Sequence, residues 1–182
     1  MNLLPTTYLG SVEWYRRYLA NPSDFQIEVM ESFPKQTYRN RCTITTPDGL
    51  LTLSVPVKRA DSKQLTRDVE ISYQQKWQHQ HWIALMSAYK RTPYFDYYAD
   101  FFRPFYEKET KFLVDFNEAL HEVIDCLIAN KVIGKEAIGL LGKNRTTDWQ
   151  GVDLETCFGD GQSILDLLFE HGPETPLVLV KV

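Results

Sequence analysis

The apolar pattern of this chain changes period part-way along, and that change limits the folds open to it. Up to about residue 75, apart from a helical stripe at Val12, Tyr15 and Leu19, apolar side chains alternate with polar ones or run in short blocks. Between Lys76 and Asn130 they recur every three or four residues. Strands first and helices later predict an α+β fold, with an N-terminal mixed or antiparallel sheet followed by a helical C-terminal half. No internal repeat and no linker rich in Pro, Gly or Ser divides the 182 residues. One domain is expected over 1–182, strand-rich to about 75, helix-rich over 76–134 and less regular over 135–182.

Local signals place the elements. Asn2 to Pro5 reads as a strand, Thr6-Thr7 as a helix-start signal, and Val12, Tyr15 and Leu19 as a helical stripe that Asn21-Pro22 stops. Phe25, Ile27 and Val29 alternate as a strand does. Pro47-Asp48-Gly49 joins Cys42–Thr46 to Leu50–Val57 as a hairpin. Lys58 to Arg67 is charged and reads as a mobile loop, after which Val69, Ile71 and Tyr73 resume a strand. Lys76 to Arg91 carries Trp77, His81, Leu85 and Ala88 on one helical face. Pro93 suits the first position of the next helix, and Pro104 breaks it. The longest periodic stretch, Glu107 to Asn130, has Phe112, Phe116, Leu120, Val123, Ile124 and Leu127 as its stripe and Gly134 as its end. Ser163 to His171 reads as a short helix stopped by Gly172-Pro173, and Leu177 to Val182 as a closing strand.

Charge narrows the partner. The formal net charge is −4, which argues against a generic polyanion binder. From Lys35 to Arg67, however, seven basic residues face two acidic ones, a balance of +5 that leaves −9 for the remainder. A small anion is therefore a better expected partner than a nucleic acid. Met1 to Gly10 lacks the cationic start and apolar run of a signal peptide, and no apolar run is long enough to span a membrane. Cys42, Cys126 and Cys157 are odd in number and widely spaced. Reduced thiols in a cytoplasmic protein are expected, with no metal site and no cofactor.

Several runs together carry a family resemblance: Leu4-Pro5-Thr6-Thr7-Tyr8-Leu9-Gly10, Phe33-Pro34-Lys35-Gln36-Thr37-Tyr38-Arg39-Asn40-Arg41-Cys42, and Leu53-Ser54-Val55-Pro56-Val57. Trp77, His81-Trp82, Leu85 and Ser87-Ala88-Tyr89 continue it. Thr92-Pro93-Tyr94-Phe95, Phe101 to Lys108 and Ser163 to Phe169 complete it. With these the chain resembles the bacterial WbqC-like protein family over nearly its whole length, most specifically at Lys35–Cys42. Leu4 stands where much of that family has Gln. The resemblance implies a setting in O-antigen and related surface-polysaccharide synthesis, and a glycine-transferase activity that acylates an amino sugar.

The candidate chemistry concentrates in the same runs. Lys35, Arg39 and Arg41 are three cations within seven residues, suited to a diphosphate because the planar arginine fork makes paired hydrogen bonds to phosphate oxygens. In a strand Arg39 and Arg41 would share one face, with Tyr38 and Asn40 on the other. Asn40 and Tyr38 are placed to orient a reacting group. His81 is the candidate proton acceptor, because imidazole titrates near neutrality; its apolar helical neighbours equally suit a core histidine. His79, two positions away, faces elsewhere, so the pair is no zinc site. Tyr8 and Tyr89 are candidates to stack on a sugar or base, Tyr89 being the least core-like of the aromatics. Cys42 beside Arg41 could serve as a nucleophile, since a nearby cation lowers a thiol pKa, but is read as packing inward in a strand. Gly134 to Gly142-Lys143 misses the phosphate-loop spacing, and no Gly-x-Ser-x-Gly elbow is present.

These readings give two expectations. The first is a transferase acting on a nucleotide- or lipid-linked sugar, with Lys35, Arg39, Arg41, Tyr8 and Tyr89 binding and His81, Asn40 and Tyr38 catalytic. The second is a non-enzymatic protein that recognises an anionic glycan precursor or a pathway partner through the same basic run. Contact with RNA is a third, weaker reading that the overall acidity opposes.

Overall fold

A computed structural model describes residues 2–58, 63–129, 144–149 and 151–181. Gly134, Gly139 and Gly142, and residues 59–62 of the basic segment, lie outside the described residues. The architecture is α+β, with strands and a hairpin first and helices after. The N-terminal strands form two separate small sheets instead of one.

Strand β1 (Asn2–Pro5) pairs in parallel with β2 (Phe25–Glu28), from Asn2 opposite Phe25 to Pro5 opposite Glu28. Helix α1 (Val12–Ala20) makes the crossover that parallel strands require. Its cap is Ser11, whose hydroxyl accepts from the Trp14 N–H. Thr6 and Thr7 do not start the helix; they lie buried in the preceding loop, where Leu9 takes a positive φ of 46°. The later segment around Arg145 bridges Ile27 in parallel, and Thr146 N–H donates to the Ile27 carbonyl at 2.9 Å. A stretch with little sequence periodicity thus extends the sheet.

Strands β3 (Arg41–Thr46) and β4 (Gly49–Ser54) form the expected hairpin around Pro47-Asp48, closed by Thr46 opposite Gly49. Gly49 has φ +117°, open to glycine at no steric cost. The end of the expected mobile loop is firmly held: Leu65 bridges Ser32, and Thr66 is fully buried with its N–H on the Glu31 carbonyl.

Helix α2 (Trp77–Tyr89) buries Trp77, His81, Leu85 and Tyr89, one residue per turn. Helix α3 (Phe95–Phe102) starts two residues later than Pro93 suggests. Tyr94 sits at its cap, with its N–H held by the Phe169 carbonyl. Pro104 opens the 3-10 turn Arg103–Tyr106 that ends this segment. Helix α4 (Leu113–Ile128) starts well after Glu107, because Phe112 just before it bridges Glu70. Ile71 N–H donates to Lys111 and Leu113 N–H to Val69, both at 2.9 Å. Twelve of the sixteen α4 residues are buried, so its interior face is far wider than the apolar stripe and takes in Asn117, Glu118 and His121.

Helix α5 (Leu165–His171) follows Ser163, whose hydroxyl accepts from the Leu165 N–H and donates to the Leu9 carbonyl. The expected closing strand is instead helix α6 (Thr175–Lys181). The turn Gly172–Glu174 leads directly into it, Pro176 suits a first turn, and the Thr175 hydroxyl donates to the Gly172 carbonyl at 2.6 Å. Only Leu179 of its apolar run is buried; Leu177 and Val180 are exposed. One hydrophobic cluster runs from Leu4 through α4 to Leu179.

Gly161 (φ +75°) shows how closely the basic run packs: an added Cβ would stand 1.9 Å from the Tyr38 ring. Gly161→Ala should cost about 2–4 kcal/mol through overpacking and left-handed strain. At Gly151 (φ +67°, nothing within 4 Å) the same change should cost about 1 kcal/mol from strain alone. Urea unfolding of both variants checks this, and equal losses would contradict the packing at Tyr38.

Candidate functional site

Arg39 and Arg41 are two residues apart and have opposite surroundings. Arg39 precedes β3, so strand alternation does not govern it, and its side chain is 1% exposed. Its Nε donates to Glu31 Oε1, Nη2 to Glu31 Oε2 at 2.9 Å, and Nη1 to Glu155 Oε1 at 2.6 Å. The Phe158 ring lies 5.3 Å from its guanidinium carbon. Burial pushes the Glu31 carboxyl pKa up, and the hydrogen bonds and charge of Arg39 oppose that shift. Arg39 is thereby an internal ion pair. Carboxylates take three of its five N–H groups in the interior, where the sequence reading expected a ligand.

Arg41 heads β3 opposite Ser54. It is half-buried, and its Nε is shielded from water with no hydrogen-bond partner. Its guanidinium makes no ion pair or hydrogen bond among the described residues. Beside it, Asn40 Nδ2 donates to the Val55 carbonyl at 2.9 Å, which fixes the amide orientation and leaves buried Oδ1 without a partner. Lys35 is exposed. Tyr38 turns to the far loop, where its hydroxyl donates to the Asp160 carbonyl at 3.0 Å.

His81 and Tyr8 do come together. The Tyr8 hydroxyl lies 2.9 Å from His81 Nδ1 and 2.9 Å from the Tyr106 hydroxyl, all three side chains being buried. Burial lowers the His81 pKa to about 4, opposed by a hydrogen bond to the Ser54 backbone. Burial raises the Tyr8 and Tyr106 pKa values, so both phenols stay protonated. The Cys42 thiol is buried and pushed up as well, mainly by desolvation, which leaves no reactive thiolate.

Tyr89, read as the least core-like of the aromatics, is also buried, at 3% exposure. Its hydroxyl donates to Asp166 Oδ1 at 2.5 Å, and the Asp166 carboxylate also accepts from Thr45 and Gln162. Asp166 lines a cleft of about 530 Å³ between α1 and the 156–167 segment. Tyr106 lines a second cleft of about 260 Å³ with Lys76, His79 and Glu109. Each buried hydroxyl network therefore ends on a residue at a surface cleft.

Sequence reasoning did not single out Tyr106, Asp166, Glu31, Glu155 or Asn117. Tyr106 lay within a quoted run, but nothing local marks the acids that close around Arg39. Asn117 Nδ2 donates to Thr6 Oγ1 at 3.0 Å and to the Arg39 carbonyl at 2.8 Å, joining the 6–10 loop to the basic run. Among the described residues no group of three or more His, Cys, Asp or Glu is arranged to hold a metal, and no helix is long and apolar enough to cross a membrane.

The sequence profile of the WbqC-like protein family matches residues 15–149. The chain belongs to that family. The matched span contains Arg39, Asn40, Arg41, His81, Tyr106 and Asn117; Tyr8 and Asp166 lie on either side of it. No curated protein and no solved structure matches the chain.

The buried histidines set an acid limit. His121 is pushed down to about 4 by burial, as His81 is. Unfolded, each ring takes a proton near pH 6.5; folded, each resists until about pH 4. The unfolded chain thus binds more protons in this window, and stability falls as pH drops from 6.5 to 4. The loss should approach about 3 kcal/mol per ring. Denaturant unfolding across pH 4–7 should show this slope reduced in His81→Gln. An unchanged slope would mean that His81 is not held neutral.

Proposed function

We propose that this WbqC-like protein is a cytoplasmic sugar-modifying transferase of surface-polysaccharide synthesis, which acylates an amino sugar carried on a nucleotide or lipid, with glycine as the acyl group. The observation that carries the reading is Arg41: a half-buried guanidinium with no partner among the described residues, at the head of a strand in the family-matched span. Its fork suits a phosphate or diphosphate of the sugar carrier. Asn40 beside it offers an unused acceptor oxygen for an amine or hydroxyl of the substrate.

In the transfer, the amine nitrogen forms a bond to the glycyl carbonyl carbon, the bond to the donor's leaving oxygen breaks, and the amine loses one proton. A proton reaches His81 only through Tyr8, because that hydroxyl occupies Nδ1. Tyr106, Tyr8 and His81 form the available relay, with Tyr106 at the cleft. One observation favours a second reading, a binding protein without turnover: a ring whose pKa burial lowers to about 4 is a weak proton acceptor.

Incubation of the purified protein with activated glycine and amino-sugar nucleotides should yield an acylated sugar, detected by mass spectrometry. Arg41→Ala should abolish the product while unfolding within about 1 kcal/mol of the parent. Arg39→Ala should cost about 3–5 kcal/mol by stranding buried Glu31. Sugar-nucleotide binding that Arg41→Ala removes, with no product from any donor, selects the binding protein. Binding and turnover both intact in Arg41→Ala would end both readings.

A further inference from the structure

Arg41 shares its face of the hairpin with a row of hydroxyls. Strands β3 and β4 place Arg41 directly opposite Ser54, and Thr43 opposite Thr52. Just beyond this end, the Val55 N–H donates to the Asn40 carbonyl at 2.8 Å, so Asn40 and Val55 are a hydrogen-bonded pair. Pair types alternate along an antiparallel ladder. Arg41 and Ser54 are therefore a non-hydrogen-bonded pair, the type whose side chains lie closest. The same alternation puts Arg41, Thr43 and Thr45 on one face with Leu50, Thr52 and Ser54. On the opposite face Cys42, Ile44 and Leu53 are buried in the core. Neither strand carries an acidic residue.

The surroundings of the four hydroxyls separate them. Thr43 is buried. The Thr45 hydroxyl donates to Asp166 Oδ2 at 2.8 Å. Thr52 and Ser54 are exposed, and neither hydroxyl has a partner among the described residues. Thr52 lies one pair further along, opposite Thr43. Of the four, Ser54 is the one that is both unengaged and directly across from Arg41, itself without a partner among the described residues. The backbone that carries it is held on both sides. His81 of α2 hydrogen-bonds the Ser54 backbone, and Val55 is fixed to Asn40. The hydroxyl is thus presented from an ordered strand, which keeps the cost of using it low.

We propose that Ser54 is a second binding residue of the Arg41 site, its hydroxyl donating to an oxygen of a phosphate held by the Arg41 guanidinium. This rests on the reading of Arg41 as the anion-binding residue, and it narrows the ligand to a phosphate or diphosphate ester. A guanidinium fork by itself accepts carboxylate and phosphate alike. A carboxylate has two oxygens, and a paired contact engages both. A tetrahedral phosphate keeps further oxygens outside the plane of the fork, and one of these can accept from a hydroxyl beside it.

Calorimetric titration of the whole chain with inorganic pyrophosphate at neutral pH tests this. Ser54→Ala should weaken binding about tenfold, the size of one hydrogen bond to a charged group, with an unchanged urea midpoint. Ser54→Thr keeps the hydroxyl and should bind as the parent does, and so should Thr52→Ala. Binding that Arg41→Ala removes but Ser54→Ala leaves unaltered overturns the role of Ser54 and leaves the Arg41 reading standing. So does a Ser54→Thr variant as weak as Ser54→Ala, or an equal loss in Thr52→Ala. Pyrophosphate that does not bind the parent, or binds it regardless of Arg41→Ala, overturns the Arg41 reading and the role of Ser54 with it.

Discussion

Arg39 enters the core as a charge, because a guanidinium does not give up its proton in a protein. Much of the surrounding structure answers to that. A cation at 1% exposure needs anions brought to it: Glu31 comes from just beyond β2 and Glu155 from the distant turn preceding α5. Phe158 adds a ring beside the cation, and Asn117 of α4 takes the main-chain oxygen of the same residue. The ion pair adds little net stability against an apolar core of equal volume, since desolvation offsets most of the attraction. Its larger effect is on specificity. Any packing that fails to deliver Glu31 leaves an unpaired buried charge, so the 31–39 run, α4 and the 155–158 segment are held to one arrangement.

What was legible in the sequence was local. Asn21-Pro22 as a stop, Pro47-Asp48-Gly49 as a hairpin and the four-residue spacing of Trp77, His81 and Leu85 all rest on chemistry within a turn or two. The failures share the opposite cause. Glu107 to Lys111 looks like the start of a long helix, yet the Lys111 carbonyl and the Leu113 N–H are taken by Ile71 and Val69, some forty residues earlier. The run from Leu177 looks like a strand, but no strand edge among the described residues receives it, and the preceding turn already points it into a helix. The same division applies to the candidate site. Composition singled out Tyr8 and His81 separately, but their hydrogen bond spans 73 positions. Arg39 and Arg41 look alike in sequence, and only the placement of Glu31 and Glu155 separates a structural cation from an available one.

That separation bears on how Arg41 would bind. Its neighbour on one side is locked by carboxylates and by Asn117, and Asn40 is fixed to the Val55 carbonyl, so the backbone that presents Arg41 is already ordered. Binding there would not have to order the loop, a cost that often consumes much of the gross interaction energy. Its Nε, moreover, is already out of contact with water. An anion that reaches this nitrogen supplies a hydrogen bond the folded protein lacks, whereas an anion at exposed Lys35 only exchanges one set of hydrogen bonds for another. On these grounds the affinity of the basic run should reside in Arg41, with Lys35 contributing long-range attraction that salt screens. The chain's net acidity does not oppose the proposed binding, because a pre-positioned fork would recognise a small phosphate by geometry rather than by bulk charge.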